Sequence, residues 1–211
     1  YVGDFSQGMK NGSGVLYDSG ENEIFTGTFS SDNIVYSELL GKSAGEVADC
    51  YKGSRELFMT DDESVVVMED IRALYHGVGD PEALDDAEKV DAVYVLSDEF
   101  AFGNNVIHTI SEAKDLFGDP VYEGNSGVIM PEAVAINKLN ERKTVLSGPV
   151  FMDVDNSFSD VGRIEEYDTN YPVYIYSFQR GELLYSFVCG EREDQFAFYF
   201  ITGADGAENA A

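Results

Sequence analysis

The sequence predicts an α+β fold: an N-terminal β-hairpin segment, then antiparallel strands covered by short helices. Three observations lead there. Near the start, aromatic residues alternate around a central glycine in Tyr1-Val2-Gly3-Asp4-Phe5 and again in Phe25-Thr26-Gly27-Thr28-Phe29. Period two is the mark of a strand with one packed face. Two later segments, Ser43–Glu46 and Thr109–Glu112, read Ser/Thr-x-x-Glu, the hydrogen-bonding grammar of a helix start. Several apolar runs bounded by turn residues fill the C-terminal end of the chain.

Composition sets the frame for these elements. The chain has 211 residues, 44% hydrophobic and 13% aromatic, enough to build a packed core. That length suits one domain with a small appendage. Thirteen basic residues face 40 acidic ones, for a formal charge of −27. Such a charge repels phosphate backbones and anionic lipid, so nucleic-acid binding and polybasic membrane docking are excluded. No run of about 18 apolar residues occurs, so no segment inserts into a membrane as a helix. The chain opens at Tyr1, without Met and inside a patterned segment, which leads to the expectation of an upstream region. Cys50 and Cys189 are too few for a disulfide framework; a single bridge and two buried thiols both stay open.

Within the first segment, the two aromatic-Gly-aromatic strands start 24 residues apart. On each, the glycine leaves a gap that another backbone or ring can enter. Lys10-Asn11-Gly12 and Asp18-Ser19-Gly20 read as turns around a strand at Ser13–Tyr17. These residues, with Gly8, Gly12 and Gly14, resemble the MORN repeat over about residues 1–30. The resemblance implies a hairpin that stacks on neighbours through its aromatic face, a role in scaffolding or contact with proteins or membranes, and no catalysis.

The two helix starts share more than the cap. At an offset of 66 residues, Ser43 aligns with Thr109, Glu46 with Glu112, Cys50 with Leu116 and Tyr51 with Phe117. Val47, Cys50 and Tyr51, like Ala113, Leu116 and Phe117, follow at helical spacing. Gly53 and Gly118 then stand as stops, giving two helices of about three turns each. Gly41–Gly53 and His108–Pro120 are thereby similar to a motif of the beta-lactamase-inhibitor-protein-like fold and the outer-membrane assembly lipoprotein family. That similarity implies an antiparallel layer covered by helices and used as a protein-binding surface. The expected organisation is a MORN-like segment at 1–36, an α+β domain at 37–203 with a candidate internal repeat (37–107 and 108–203), and a flexible tail at 204–211.

Strands are expected at Val90–Leu96, Lys143–Val150, Val173–Phe178, Leu183–Val188 and Phe196–Thr202, the third and fourth joined through Gln179–Glu182. Short helices are expected after Asp80-Pro81 and over Pro131–Arg142. Ser64–Tyr75 reads as a strand running into irregular structure, because Val65-Val66-Val67 favours extension.

Several tempting motifs depart from the chemistry they resemble. Gly41-Lys42-Ser43 mimics the end of a phosphate loop, but the required earlier glycine is Tyr36. Gly124-Asn125-Ser126-Gly127 resembles a protease nucleophile turn; with only His76 and His108 available, an ordinary turn is expected. Asp153, Asp155 and Ser157 fit the start of a calcium loop, but Phe158 and Ile164 replace its glycine and final glutamate. An irregular calcium site there stays open, beside a plain acidic loop. Neither histidines nor cysteines show metal-ligand spacing, and carboxylate pairs such as Asp61-Asp62 and Asp85-Asp86 are ordinary in a chain with 40 acids.

The sequence therefore assigns no catalytic, cofactor-binding or metal-binding residue and no cofactor. It points to a non-enzymatic protein-interaction or scaffolding module of a larger bacterial surface or secreted protein, with a protein as partner. The opposing class is a hydrolase whose site assembles from scattered acidic residues and tyrosines.

Overall fold

The computed structural model describes residues 1–53, 55–59, 64–68, 73–77, 89–95, 97–126, 173–190 and 194–204. It is an α+β protein built on two principal antiparallel sheets. The first sheet holds β1 (Val2–Ser6), β2 (Met9–Tyr17), β3 (Glu23–Ser30) and β4 (Asn33–Ile34), in that order. A 3-10 turn at Tyr36–Leu39 leads into α1 (Ala44–Cys50), followed by β5 (Arg55–Met59), β6 (Ser64–Met68), β7 (Ala73–Gly77) and β8 (Val90–Val95). A small hairpin, β9 (Phe100–Phe102) and β10 (Asn105–Ile107), precedes α2 (Ile110–Phe117). Then come β11 (Tyr122–Ser126), β12 (Val173–Arg180), β13 (Leu183–Gly190) and β14 (Phe196–Gly203). The second sheet has eight strands in the order β11-β12-β13-β14-β8-β7-β6-β5.

Among the described residues, each helix is followed by four strands, and the last of each set, β8 and β14, pair at the centre of the sheet. Matching backbone contacts tie each helix start to its own set. Ser43 bridges Lys89, with Val90 N–H donating to Lys42 O at 2.9 Å; Thr109 bridges Gln195, with Phe196 N–H donating to His108 O at 3.4 Å.

Both helices begin with reciprocal capping boxes. Glu46 N–H donates to Ser43 Oγ at 3.3 Å while the Glu46 carboxylate accepts Ser43 N–H at 2.7 Å. Glu112 N–H donates to Thr109 Oγ1 at 3.2 Å, and its carboxylate accepts both Thr109 N–H and His108 N–H. The helices are shorter than the expected three turns, with seven and eight residues. α2 stops at Gly118, whose φ of 87° only glycine adopts readily. α1 does not run to Gly53. It ends at Tyr51, which turns extended and bridges Phe25, while Lys52 N–H donates to Ile24 O at 2.7 Å. Pairing with β3 overrides the glycine stop.

The core lies between the large sheet and its helices. Val47 and Tyr51 of α1 and Ile110, Ala113 and Phe117 of α2 pack with Val93, Val95, Phe178, Tyr185, Phe187, Tyr199 and Ile201. Phe100 sits among them edge-to-face with Tyr185, Phe187 and Tyr199, at 4.9–5.4 Å between ring centres. Phe25 and Phe29 of the first sheet belong to the same core. Ile175, Leu184, Val188 and Phe198, on the opposite face of the large sheet, are buried too. There Ser177 and Ser186 face each other in register and satisfy one another at 2.8 Å, which removes the cost of burying two hydroxyls.

Several expectations need correction. Lys10-Asn11-Gly12 lies inside β2; the β1–β2 turn is Gln7-Gly8, with φ of 55° and 86°. The register jumps between Gly3↔Gly14 and Phe5↔Lys10, and Ser13 N–H donates to the Asp4 carboxylate across the irregularity. Gly12, at φ 97°, therefore serves a bulge rather than a turn. Ser64–Tyr75 holds parts of two strands rather than one: β6 over Ser64–Met68 pairs antiparallel with β7, which begins at Ala73. Gly124, Asn125 and Ser126 lie in β11, paired with β12. The elements expected at 80–81, 131–142 and 143–150 and the acidic stretch 153–164 lie outside the described residues.

Ser43→Ala and Thr109→Ala should each lower stability by about 0.5–2 kcal/mol through loss of the cap bond, read as a fall in the denaturation midpoint. The cap carboxylates add a pH signature. Glu46 is held below the usual carboxylate range by Ser43 N–H and then Lys89, and Glu112 by His108 N–H and then Thr109. A carboxyl lowered on folding stabilises above its unfolded pKa and loses that contribution as pH falls through the folded value. The Tm gap between wild type and Glu46→Ala/Glu112→Ala should be constant near neutrality and close as pH drops below about 4.

Candidate functional site

His108 stands just before the Thr109 cap, with Nδ1 3.0 Å from Asp98 O. His76 lies in β7, opposite Val65 and Ala92. Gly41-Lys42-Ser43 offers no cradle for phosphate. Gly41 N–H donates to Val90 O at 2.8 Å and Ser43 N–H to Glu46, so these amides are already engaged. Neither cysteine forms a disulfide: half-buried Cys50 donates to Val47 O, and buried Cys189 to Tyr174 O. Burial pushes the Cys50 thiol up, with Lys42 acting against that.

Tyrosines do converge beneath the first sheet. Burial, then Tyr36, Glu99 and Tyr185, push the Tyr199 hydroxyl well above its ordinary pKa. Tyr36 is raised by burial and by Tyr51, and Tyr185 by burial, against a hydrogen bond with Ser37. Burial thus favours the neutral phenol at all three.

The feature that reaches solvent is an aromatic ladder on the first sheet. Phe25 meets Phe29 at 5.8 Å, Phe29 meets Tyr1 at 4.7 Å and Tyr1 meets Phe5 at 5.2 Å, all edge-to-face. The four rings share one face, as their period-two spacing predicts. Exposure climbs along the ladder: Phe25 and Phe29 are 2% and 1% exposed, whereas Phe5 is 61% exposed.

Glycines make the ladder fit. A Cβ on Gly14 would occupy the space of the Tyr1 ring, and one on Gly27 would come within 2.7 Å of the Phe25 ring. Tyr1 Oη donates to Asp4 O at 3.2 Å, and the Lys10 ammonium stands 5.8 Å from the Tyr1 ring centre. Two latches hold the sheet to the body. Ser30 and Ser31 hydroxyls donate to Gly103 O at 2.6 and 2.9 Å, and Asn33 Nδ2 donates to Glu99 at 3.1 Å.

At the open edge of this sheet lies β1, exposed along its whole length, with Val2 66% exposed. The hairpin 1–17 holds a single acid, Asp4, and a single base, Lys10, in a chain of net charge −27. The arrangement can bind an extended strand through backbone hydrogen bonds and an aromatic contact. Sequence reasoning found the aromatic spacing but assigned no site. The signal it passed over was the neutrality of this stretch. No protein-family model, no curated protein and no solved structure matches the chain.

Gly14→Val should displace the Tyr1 ring and uncouple Phe5 from the core. A lowered Tm with increased exposure of Tyr1 to solvent perturbation is the expected result.

Proposed function

We propose that this chain is a non-enzymatic protein-interaction or scaffolding module of a larger bacterial surface or secreted protein, its N-terminal sheet being a MORN-type repeat. The observation that carries this reading is the β1 edge. It is an exposed edge strand that presents Phe5 and Val2 on an otherwise acidic molecule. Edge strands that stay monomeric are commonly protected by lysine, proline or a covering element, and β1 has no lysine or proline of its own. The aromatic ladder supports the same reading, because it holds Phe5 rigidly against a buried core and so lowers the ordering cost of a contact. Charge adds a selection rule: a heterologous partner presents a basic or neutral surface.

Captured partners should depend on Phe5. Immobilised wild type is expected to retain proteins that Phe5→Ser, which alters an exposed ring, does not. Their on-rates should fall as salt rises, since exposed charges are screened over about 8–10 Å near physiological ionic strength. Partners indifferent to Phe5→Ser would count against the reading. So would robust turnover in a broad hydrolase screen that disappears in His76→Ala/His108→Ala.

A further inference from the structure

We propose that Tyr174 and Asp194, on the helix-bearing face of the large sheet, dock a cationic side chain, the arginine or lysine of a basic segment in a partner protein. This surface is separate from the β1 edge, and the inference goes beyond the reading given above.

The chain already makes the contact once, with its own lysine. Glu123 on β11 stands opposite Tyr176 on β12. Lys114 of α2 reaches both: its ammonium lies 4.9 Å from the centre of the Tyr176 ring and 3.3 Å from the Glu123 carboxylate. A ring, an acid and a cation thus meet in one place. An exposed ion pair alone is worth little, and the ring face adds a second attraction for the cation. Burial, and then the charge of Glu123, push the Tyr176 hydroxyl up to about 12, with Cys189, Tyr174 and Asp194 acting in the same direction. Both carboxylates, Glu123 and Asp194, are therefore felt at this ring.

The neighbouring ring repeats the arrangement up to the cation. Tyr174 lies two residues before Tyr176 on the same strand face, with 5.2 Å between ring centres. α2 runs alongside β12: Phe117 meets Phe178 at 5.7 Å and Lys114 covers Tyr176. One turn earlier on α2 stands Ser111, toward the Tyr174 end of the row. Its N–H and hydroxyl both donate to one oxygen of Asp194, at 3.0 and 2.9 Å, which leaves the other oxygen for a partner. An acid is thus fixed in place here, and a serine takes the position that Lys114 holds beside Tyr176. Among the described residues no ammonium or guanidinium lies over Tyr174. Tyr174 is partly exposed and Asp194 exposed.

Charge complementarity selects the occupant. Segment 110–123 holds Glu112, Asp115, Asp119 and Glu123 against Lys114 alone, in a chain of net charge −27. Such surroundings repel an anionic ligand and steer a basic segment inward. Arginine fits best, because its flat guanidinium can stack on a ring and pair with a carboxylate at once.

Fluorescence anisotropy of a dye-labelled hexa-arginine peptide, titrated with the purified chain at about 50 mM salt, tests this. Tyr174→Leu should weaken binding about three- to tenfold, whereas Tyr174→Phe, which keeps the ring, should not. Asp194→Asn, whose amide oxygen can still accept from Ser111, should weaken it by a similar factor. Glu21→Gln removes an equal charge from an exposed turn of the first sheet and should change binding less than about twofold. Ser111→Lys supplies the cation from within and should block the peptide with the Tyr174 ring intact, so it reads the site even where Tyr174→Leu disturbs the sheet.

Wild-type affinity in both Tyr174→Leu and Ser111→Lys would overturn the proposal. So would equal losses in Asp194→Asn and Glu21→Gln, the mark of unspecific attraction to a polyanion. Phe5→Ser should bind the peptide as wild type does. Loss in Phe5→Ser with Tyr174→Leu unaffected would assign the peptide to the β1 edge, overturning this inference while leaving the interaction reading intact.

Discussion

The pairing of β8 with β14 is the constraint on which the rest of the structure depends. Four register pairs, Tyr199↔Val95, Phe200↔Tyr94, Ile201↔Val93 and Thr202↔Ala92, join strands β5–β8 to strands β11–β14 in a single sheet. Val93, Val95, Tyr199 and Ile201 at that seam are all nearly inaccessible to water. Each such aliphatic side chain contributes about 1.5–3 kcal/mol on burial. Without the seam, β8 and β14 would each be the open edge of a four-stranded half-sheet. With it, α1 and α2 cover one continuous apolar face, and Phe100 packs among five aromatic rings: Phe102, Phe117, Tyr185, Phe187 and Tyr199.

The same seam gives the N-terminal sheet something to lean on. The 3-10 turn after β4 brings Tyr36 and Leu39 to the core, and Phe25 and Phe29 enter the cluster that β8 and β14 organise. The ladder from Phe25 to Phe5 is thus a mechanical continuation of the core toward solvent. Its rigidity comes from Tyr1 lying over Gly14 and from the Ser30 and Ser31 latches onto the β9–β10 turn. A four-stranded sheet this small would be marginal alone, because too little of its apolar surface could be buried. Docked, it presents an edge with a fixed geometry.

A charge of −27 works against any compact state through self-repulsion. Among the described residues the acids are mostly exposed, and several with structural partners sit where partial positive charge is available. Glu46 and Glu112 lie in the first turns of their helices, and Asp194 accepts Ser111 N–H and Ser111 Oγ beside α2. Their placement turns part of the repulsion into local support at helix N-termini. Hairpin 1–17, spared by the acids, becomes the part of the surface on which apolar contact meets the least electrostatic opposition.

Local chemistry alone determined the capped helix starts, because a capping box is complete within four residues and needs nothing distant. It also determined the aromatic alternation of Tyr1–Phe5 and Phe25–Phe29, and the apolar strands β8, β12, β13 and β14. The α+β class follows from those. Tertiary structure decided what local rules could not rank. Arg55-Glu56-Leu57-Phe58-Met59 and Tyr122–Ser126 lack alternation and are strands because a neighbouring strand supplies their hydrogen bonds. Gly12 could serve a turn or a bulge, and pairing with Phe29 on β3 chose the bulge. The glycine stop at Gly53 lost to the Tyr51–Phe25 bridge. The exposed edge at β1 is likewise a tertiary fact: the sequence carries Tyr-Val-Gly-Asp-Phe, but only packing decides that Phe29 is buried while Phe5, with the same spacing around glycine, is left facing water.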